Sequence, residues 1–193
     1  PIGGVSIVVI TVAALTGTLK ISEGISGFAN SAIWLIVGAF LFSRGFIKTG
    51  LGKRIAYNLI SAFGSSSLRL AYALALSDLI LAPATPSNTA RVGGVIMPIT
   101  TSLAKAFGSE PQDGPRKIGS FLMQSIYQVN TITSAMFQTS MAGNTLVAAL
   151  ALQSFGIGIT WGDWAMAAIV PGIIALIIMP YFIYKVYPPE IKD

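Results

Sequence analysis

The sequence predicts an all-α, multi-span integral membrane protein whose apolar segments are interrupted twice. Three observations predict it. Apolar residues make up 53% of the chain and charged ones only 10%, with a mean hydropathy of +0.74, whereas soluble domains carry roughly 25% charge. Residues 1–19, 25–43 and 118–162 contain no charge at all. The basic residues between such runs fall almost entirely on one side of the layout they imply.

A bilayer core of roughly 30 Å asks for about 20 apolar residues per helix, so residues 1–19 and 25–43 each supply a span within a first unit, 1–49. The Gly-rich polar connector KISEGISGFAN joins them as antiparallel neighbours, with Trp34 placed to anchor near the headgroups. Residues 50–65 put Leu51, Ile55, Leu59, Ile60 and Phe63 on one helical face and Lys53, Arg54, Asn58 and Ser61 elsewhere, the pattern of a helix lying in the interface.

Residues 66–108 are two apolar arms around LAPATPSNTARVGG, where Pro83, Pro86, Gly93 and Gly94 require the helix to unwind. Arg69 and Lys105 flank the pair, so it begins and ends on one side, either as two full spans or as a re-entrant hairpin. The charge-free run 118–162, within a unit 115–156, is about twice the bilayer core if straight, so it must break, and SMAGNT around Gly143 is the place. Residues 163–187 form the last span, with Pro171 and Pro180 as kink positions and YPPEIKD as its stop.

Charge placement tests this layout. With residue 1 inside, Lys20 is the one basic residue outside, while Arg44, Lys48, Lys53, Arg54, Arg69, Lys105, Arg116, Lys117, Lys185 and Lys192 are inside. Arg91 alone is left at membrane depth. The net charge of +5 therefore reflects topology; no basic stripe points to nucleic acid. The chain has neither Cys nor His, which removes thiol nucleophiles, imidazole bases and the usual metal sets, and no catalytic or metal residue is assigned. Its start at Pro1 inside an apolar run, without Met or a basic leader, reads as an excerpt of a longer chain.

Unwound backbone at membrane depth survives only where it is buried in protein or lines a watery cavity. Two breaks therefore imply a site. Ser87 is a good N-cap for the second arm, so Ser87, Asn88 and Thr89 would present hydroxyl, amide and backbone N–H groups at a positive helix end, a setting for a carboxylate. Gly143, Asn144 and Thr145 offer the same ingredients at the second break. Gln124, Gln128, Thr131 and Gln138, near one face of the long run, read as interhelical hydrogen bonders. Asp78 has two possible partners, Arg91 or a neighbouring helix.

The stretch APATPSNTARVGGVIMPI, with SGFANSAIWLIVGAF upstream, resembles the divalent anion/sodium symporter family, nearest its branch of citrate/succinate antiporters and 2-oxoglutarate/malate translocators. The resemblance runs in order through nearly the whole chain. It implies that the Ser-Asn-Thr motif tips a re-entrant helical hairpin, that the 115–156 unit is a broken transmembrane helix, and that this chain is the first of two inverted repeats, with the second missing. It further implies substrate contacts from Ser87, Asn88 and Thr89, facing contacts from Gly143, Asn144 and Thr145, a horizontal arm at 50–64, a scaffold role for 1–49, and a homodimer in the lipid bilayer of the cell (inner) membrane. Sodium-coupled members carry a Ser four residues before the motif, where this chain has Pro83.

Arg91 lies four residues after Ser87 and shares its helical face, so its guanidinium can stand where a cation would otherwise sit. If its charge is paired only while a substrate carboxylate is bound, an empty carrier crosses the membrane slowly and exchange is favoured. The function expected is a secondary transporter of small di- or tricarboxylates (2-oxoglutarate, malate, succinate or citrate type), a sodium-independent exchanger needing no cofactor. The alternative is a sodium-coupled symporter, with Na+ as its coupling ion. A channel would need repeated filter loops and an intramembrane enzyme an acid, base or nucleophile set; neither is present, nor is a nucleotide-binding GxxxxGK[ST] motif.

Overall fold

The computed structural model describes residues 2–191; Pro1, and Lys192 of the basic set, lie outside the described residues. All regular structure among the described residues is helical. Two stretches, Ser67–Ala84 and Trp161–Val186, are long and apolar enough to cross a membrane, and a third exists if one bent helix pair is taken as a single span.

The N-terminal spans are shorter or later than expected. Helix α1 covers only Ile2–Leu15, because Gly17 takes φ +70 and the Thr16 hydroxyl turns back onto the Val12 carbonyl at 2.9 Å. A short helix α2 (Ile21–Gly24) and a tight turn at Ser26–Ala29 follow. Helix α3 therefore runs over Ser31–Thr49, and its Trp34 indole donates to the Phe28 carbonyl at 2.6 Å.

Gly50, at φ +70, lets the chain bend by 58° into α4 (Leu51–Phe63). The packing face of α4 is the one its apolar residues mark: Ile55 and Ile60 pack against the core, and Leu59 is half-buried. Gly52 and Ala56 are buried, while Leu51 and Phe63 are largely exposed. A Cβ at position 52 would lie 3.2 Å from the Val95 side chain, so the small residues permit a close approach that bulky ones would block.

Helix α5 (Ser67–Leu81) is capped by the Ser66 hydroxyl, which accepts from the Arg69 N–H. A tight turn at Ala82–Ala84 ends it. The return arm is α6 (Asn88–Arg91), a π-helical segment at Val92–Ile96 and α7 (Met97–Ala106), continuous in sequence. The π segment holds Gly93 and Gly94; such bulges cluster at functional sites. Helix α8 (Gly119–Met136), unwound residues 137–141, α9 (Ala142–Phe155) and α10 (Trp161–Val186) complete the chain.

The core lies among α5, α8 and α10, with α4 and α7 packed alongside. Leu74, Leu81, Ile96, Ile99, Phe121 and Leu122 form its centre, and Ala75, Val129, Met136 and Leu176 a second cluster. Helix α1 buries no residue, and α3, α9 and α10 expose many large apolar side chains, an arrangement suited to lipid and not to water.

One end of the bundle gathers the segments read as internal. The Ser67 hydroxyl donates to the Ile191 carbonyl at 2.5 Å, the Glu190 and Ile191 N–H groups donate to the Arg116 and Lys117 carbonyls, and the Arg116 guanidinium stacks over Tyr187. The Ser109 hydroxyl accepts from the Gly119 N–H at 2.9 Å and so caps α8 here. The Ser-Asn-Thr pair thus begins and ends at this end.

Candidate functional site

The two breaks touch each other. The Thr139 hydroxyl, in the unwound residues after α8, donates to the Pro83 carbonyl at 2.7 Å, and the Trp161 indole donates to that same hydroxyl at 3.0 Å. The tip therefore stands beside the start of α10, at the end of the bundle opposite the tail.

The tip residues are ordered by local bonds. The Ser87 hydroxyl accepts from the Ala90 N–H at 3.2 Å, as an N-cap does. The Asn88 side-chain oxygen accepts from the Thr89 N–H at 2.8 Å. Ser87 and Asn88 are half-buried and Thr89 is exposed, so all three have surface within reach of a small solute. The capping oxygens occupy two of the N–H groups that the motif was expected to leave free.

The second set behaves differently. The unwound residues are 137–141, so Gly143 lies in the first turn of α9 and not in the break itself. Asn144 and Thr145 are buried and turned onto the break. The Asn144 amide donates to the Ser134 and Phe137 carbonyls at 2.7 and 2.9 Å, and the Thr145 hydroxyl to the Gln138 carbonyl at 3.1 Å. Carbonyls that the end of α8 would leave unpaired are satisfied this way, which the low-dielectric setting demands.

Arg91 lies between the breaks and is 0% exposed. Its Nε donates to Asp78 Oδ1 at 2.8 Å, its Nη1 to the Thr85 carbonyl at 3.1 Å and the Ser140 carbonyl at 3.2 Å, and its Nη2 to the Thr133 and Ser134 hydroxyls at 3.2 and 3.0 Å. All five donors of the guanidinium fork are used. Asp78 Oδ2 accepts in turn from the Thr133 hydroxyl and, at 3.3 Å, from the Asn130 amide. Of the two partners open to Asp78, it takes both: the ion pair with Arg91 and the neighbouring helix α8.

This changes the premise drawn from sequence that Arg91 stands unpaired without a substrate. Asp78 balances its charge within the chain. Sequence reasoning also passed over Asn130, Thr133 and Ser134. Their spacing of three and four residues, on the α8 face that meets α5, was the available signal. Of the glutamines expected to bond between helices, Gln124 and Gln128 line an open groove of about 1240 Å³ between α7, α8 and α10, while the Gln138 amide donates to the Ile159 carbonyl at 3.3 Å.

Comparison with known proteins agrees with the resemblance. A protein of Bacillus subtilis (strain 168) provisionally named a malate transporter is 58% identical over the whole chain, which covers 41% of its length. Dicarboxylate transporter 1 of Spinacia oleracea chloroplasts is 50% identical over the whole chain, covering 34% of its length. The L-tartrate/succinate antiporter of Escherichia coli (strain UTI89 / UPEC) is 43% identical over 90% of the chain, covering 36% of its length. The chain thus spans between a third and two-fifths of these relatives. They are transporters and not enzymes. The family model described as the sodium:sulfate symporter transmembrane region matches residues 1–193, and the chain belongs to that family, the divalent anion/sodium symporters, as an integral membrane protein.

Proposed function

We propose that the protein containing this chain is a carrier for small dicarboxylate anions in the cell (inner) membrane, and that it works as a sodium-independent exchanger. The observation that carries this reading is the meeting of the two breaks, where a half-helix start presents Ser87, Asn88 and Thr89. Half-helix N-termini next to unwound backbone are the means by which broken-helix carriers hold carboxylates. Gly143, Asn144 and Thr145 act from the first turn of α9, beside the facing break, with Asn144 and Thr145 setting its shape. The names of the relatives support a dicarboxylate as substrate. The 66–108 pair is a re-entrant hairpin in this reading, completed by a second inverted repeat within a homodimer.

Sodium independence follows from Arg91. Its Nη1 draws the Thr85 and Ser140 carbonyls, one from each break, onto a single fixed cation. Carbonyl oxygens from unwound segments are what a hard cation would take as ligands. Here a guanidinium that cannot dissociate uses them, and Pro83 stands where sodium-coupled relatives carry a Ser ligand. Without a mobile cation, one-way movement of a dianion carries net charge through the membrane potential, at about 2.3 kcal/mol per charge per 100 mV. Swapping one dianion for another moves none.

The test is transport by the full-length protein in liposomes. Uptake of labelled succinate or malate should require unlabelled dicarboxylate inside and stay unchanged when sodium is replaced by potassium or choline. Sodium-driven uptake into vesicles without internal anion would establish the symporter instead.

A further inference from the structure

Arg91 and Asp78 are 0% and 2% exposed, and they form the one buried ion pair among the described residues. Asp78 is also the sole acidic residue between Glu23 and Glu110. Nothing else nearby in sequence can balance the guanidinium. The geometry orients the pair: the Arg91 fork faces the Thr85 and Ser140 carbonyls of the two breaks, while Asp78 stands behind it on α5, held by Thr133 and Asn130 of α8.

We infer that Asp78 is a specificity-determining positioning residue, which fixes the charge of the anion the site accepts by cancelling the positive charge of Arg91. This rests on the dicarboxylate reading above. With the pair neutral, the site attracts an anion through the local dipoles of the tip and not through a net charge. If the carboxylate charge is removed, a whole positive charge stands one helical turn from Ser87, where water is largely excluded and charges act over long distances. Each added negative charge on the substrate then gains attraction, so the preference moves from dianions towards trianions. If the guanidinium is removed instead, the lone carboxylate repels anions and the preference moves the other way.

The experiment measures exchange of labelled succinate and labelled citrate by the full-length protein in liposomes, at a mildly alkaline pH where they are a dianion and a trianion. Asp78→Asn should raise the citrate-to-succinate rate ratio by about tenfold or more, equivalent to about 1.4 kcal/mol. Arg91→Gln should lower it, and the double variant should return it to the wild-type value. A ratio unmoved in both single variants, with both rates merely reduced, would show that the pair only holds the fold and would overturn the inference. So would a shift in the same direction for both. If neither single variant accumulates, Asn130→Lys, which sets a second cation against Asp78 at a half-buried position, decides: a raised ratio supports the inference and an unmoved one overturns it. A wild-type protein that exchanges neither anion refutes the dicarboxylate reading itself, an outcome distinct from normal exchange with an unmoved ratio.

Discussion

Thr139 and Pro83 join the two interruptions of the chain, through a hydroxyl that donates to a carbonyl at 2.7 Å while accepting from the Trp161 indole at 3.0 Å. Thr139→Val keeps the shape and removes both bonds. Each such bond contributes about 1 kcal/mol net, so the melting temperature should fall by only a few degrees. Exchange should fall more than tenfold if contact between the breaks positions the substrate groups, and liposome uptake at saturating substrate measures it.

Asn88 and Asn144 each stand in the first turn of the helix that follows a break, but they carry different loads. Asn88 has its side-chain oxygen on the neighbouring Thr89 N–H and is half-buried. Asn88→Ala should abolish dicarboxylate uptake while expression and melting temperature stay nearly unchanged; normal uptake would remove Asn88 from the site.

Asn144→Ala should behave in the opposite order. Its buried amide donates to the Ser134 and Phe137 carbonyls, which the Ser140 hydroxyl also reaches, so the variant loses two bonds of about 1 kcal/mol each without leaving those carbonyls bare. Loss of thermal stability in detergent should exceed that of Asn88→Ala clearly. Equal melting temperatures for the two variants would contradict the division of roles.

Topology gives a fourth test, made simple by the absence of cysteine. Single cysteines at Lys53 and Arg116 should react with an impermeant thiol reagent only after the cells are opened, and one at Asp163 in intact cells. Labelling at position 53 from outside would invert the layout.

The interruptions were legible in the sequence because Pro83, Pro86 and a charge-free run too long for one span leave helical geometry no other course. Their exact form was not. The helix gives way at residues 137–141, where the Ser140, Asn144 and Trp164 side chains cap the carbonyls released, and Gly143 stays helical. A glycine permits a break but does not supply those partners. Likewise, the amphipathic pattern of α4 was visible, and Ile55 and Ile60 do pack on the core, yet the closest approach is made at Gly52 and Ala56, whose side chains are too small to register in an apolar pattern. The partner of Asp78 needed the fold, because only the crossing of α5 and α8 brings Thr133 and Asn130 to it.

Helix α10 has 26 residues, about 39 Å at 1.5 Å per residue, while the hydrocarbon it crosses is roughly 30 Å thick. Asp163 and Lys185 mark the two ends of the helix, so the charge-free residues 164–184, about 32 Å, match that thickness closely, and Trp161 fastens the first turn to the hydroxyl of Thr139. Membrane thickness thereby has a mechanical handle on the meeting point of the breaks. Acyl chains of different length should change the speed of transport without any change in the protein.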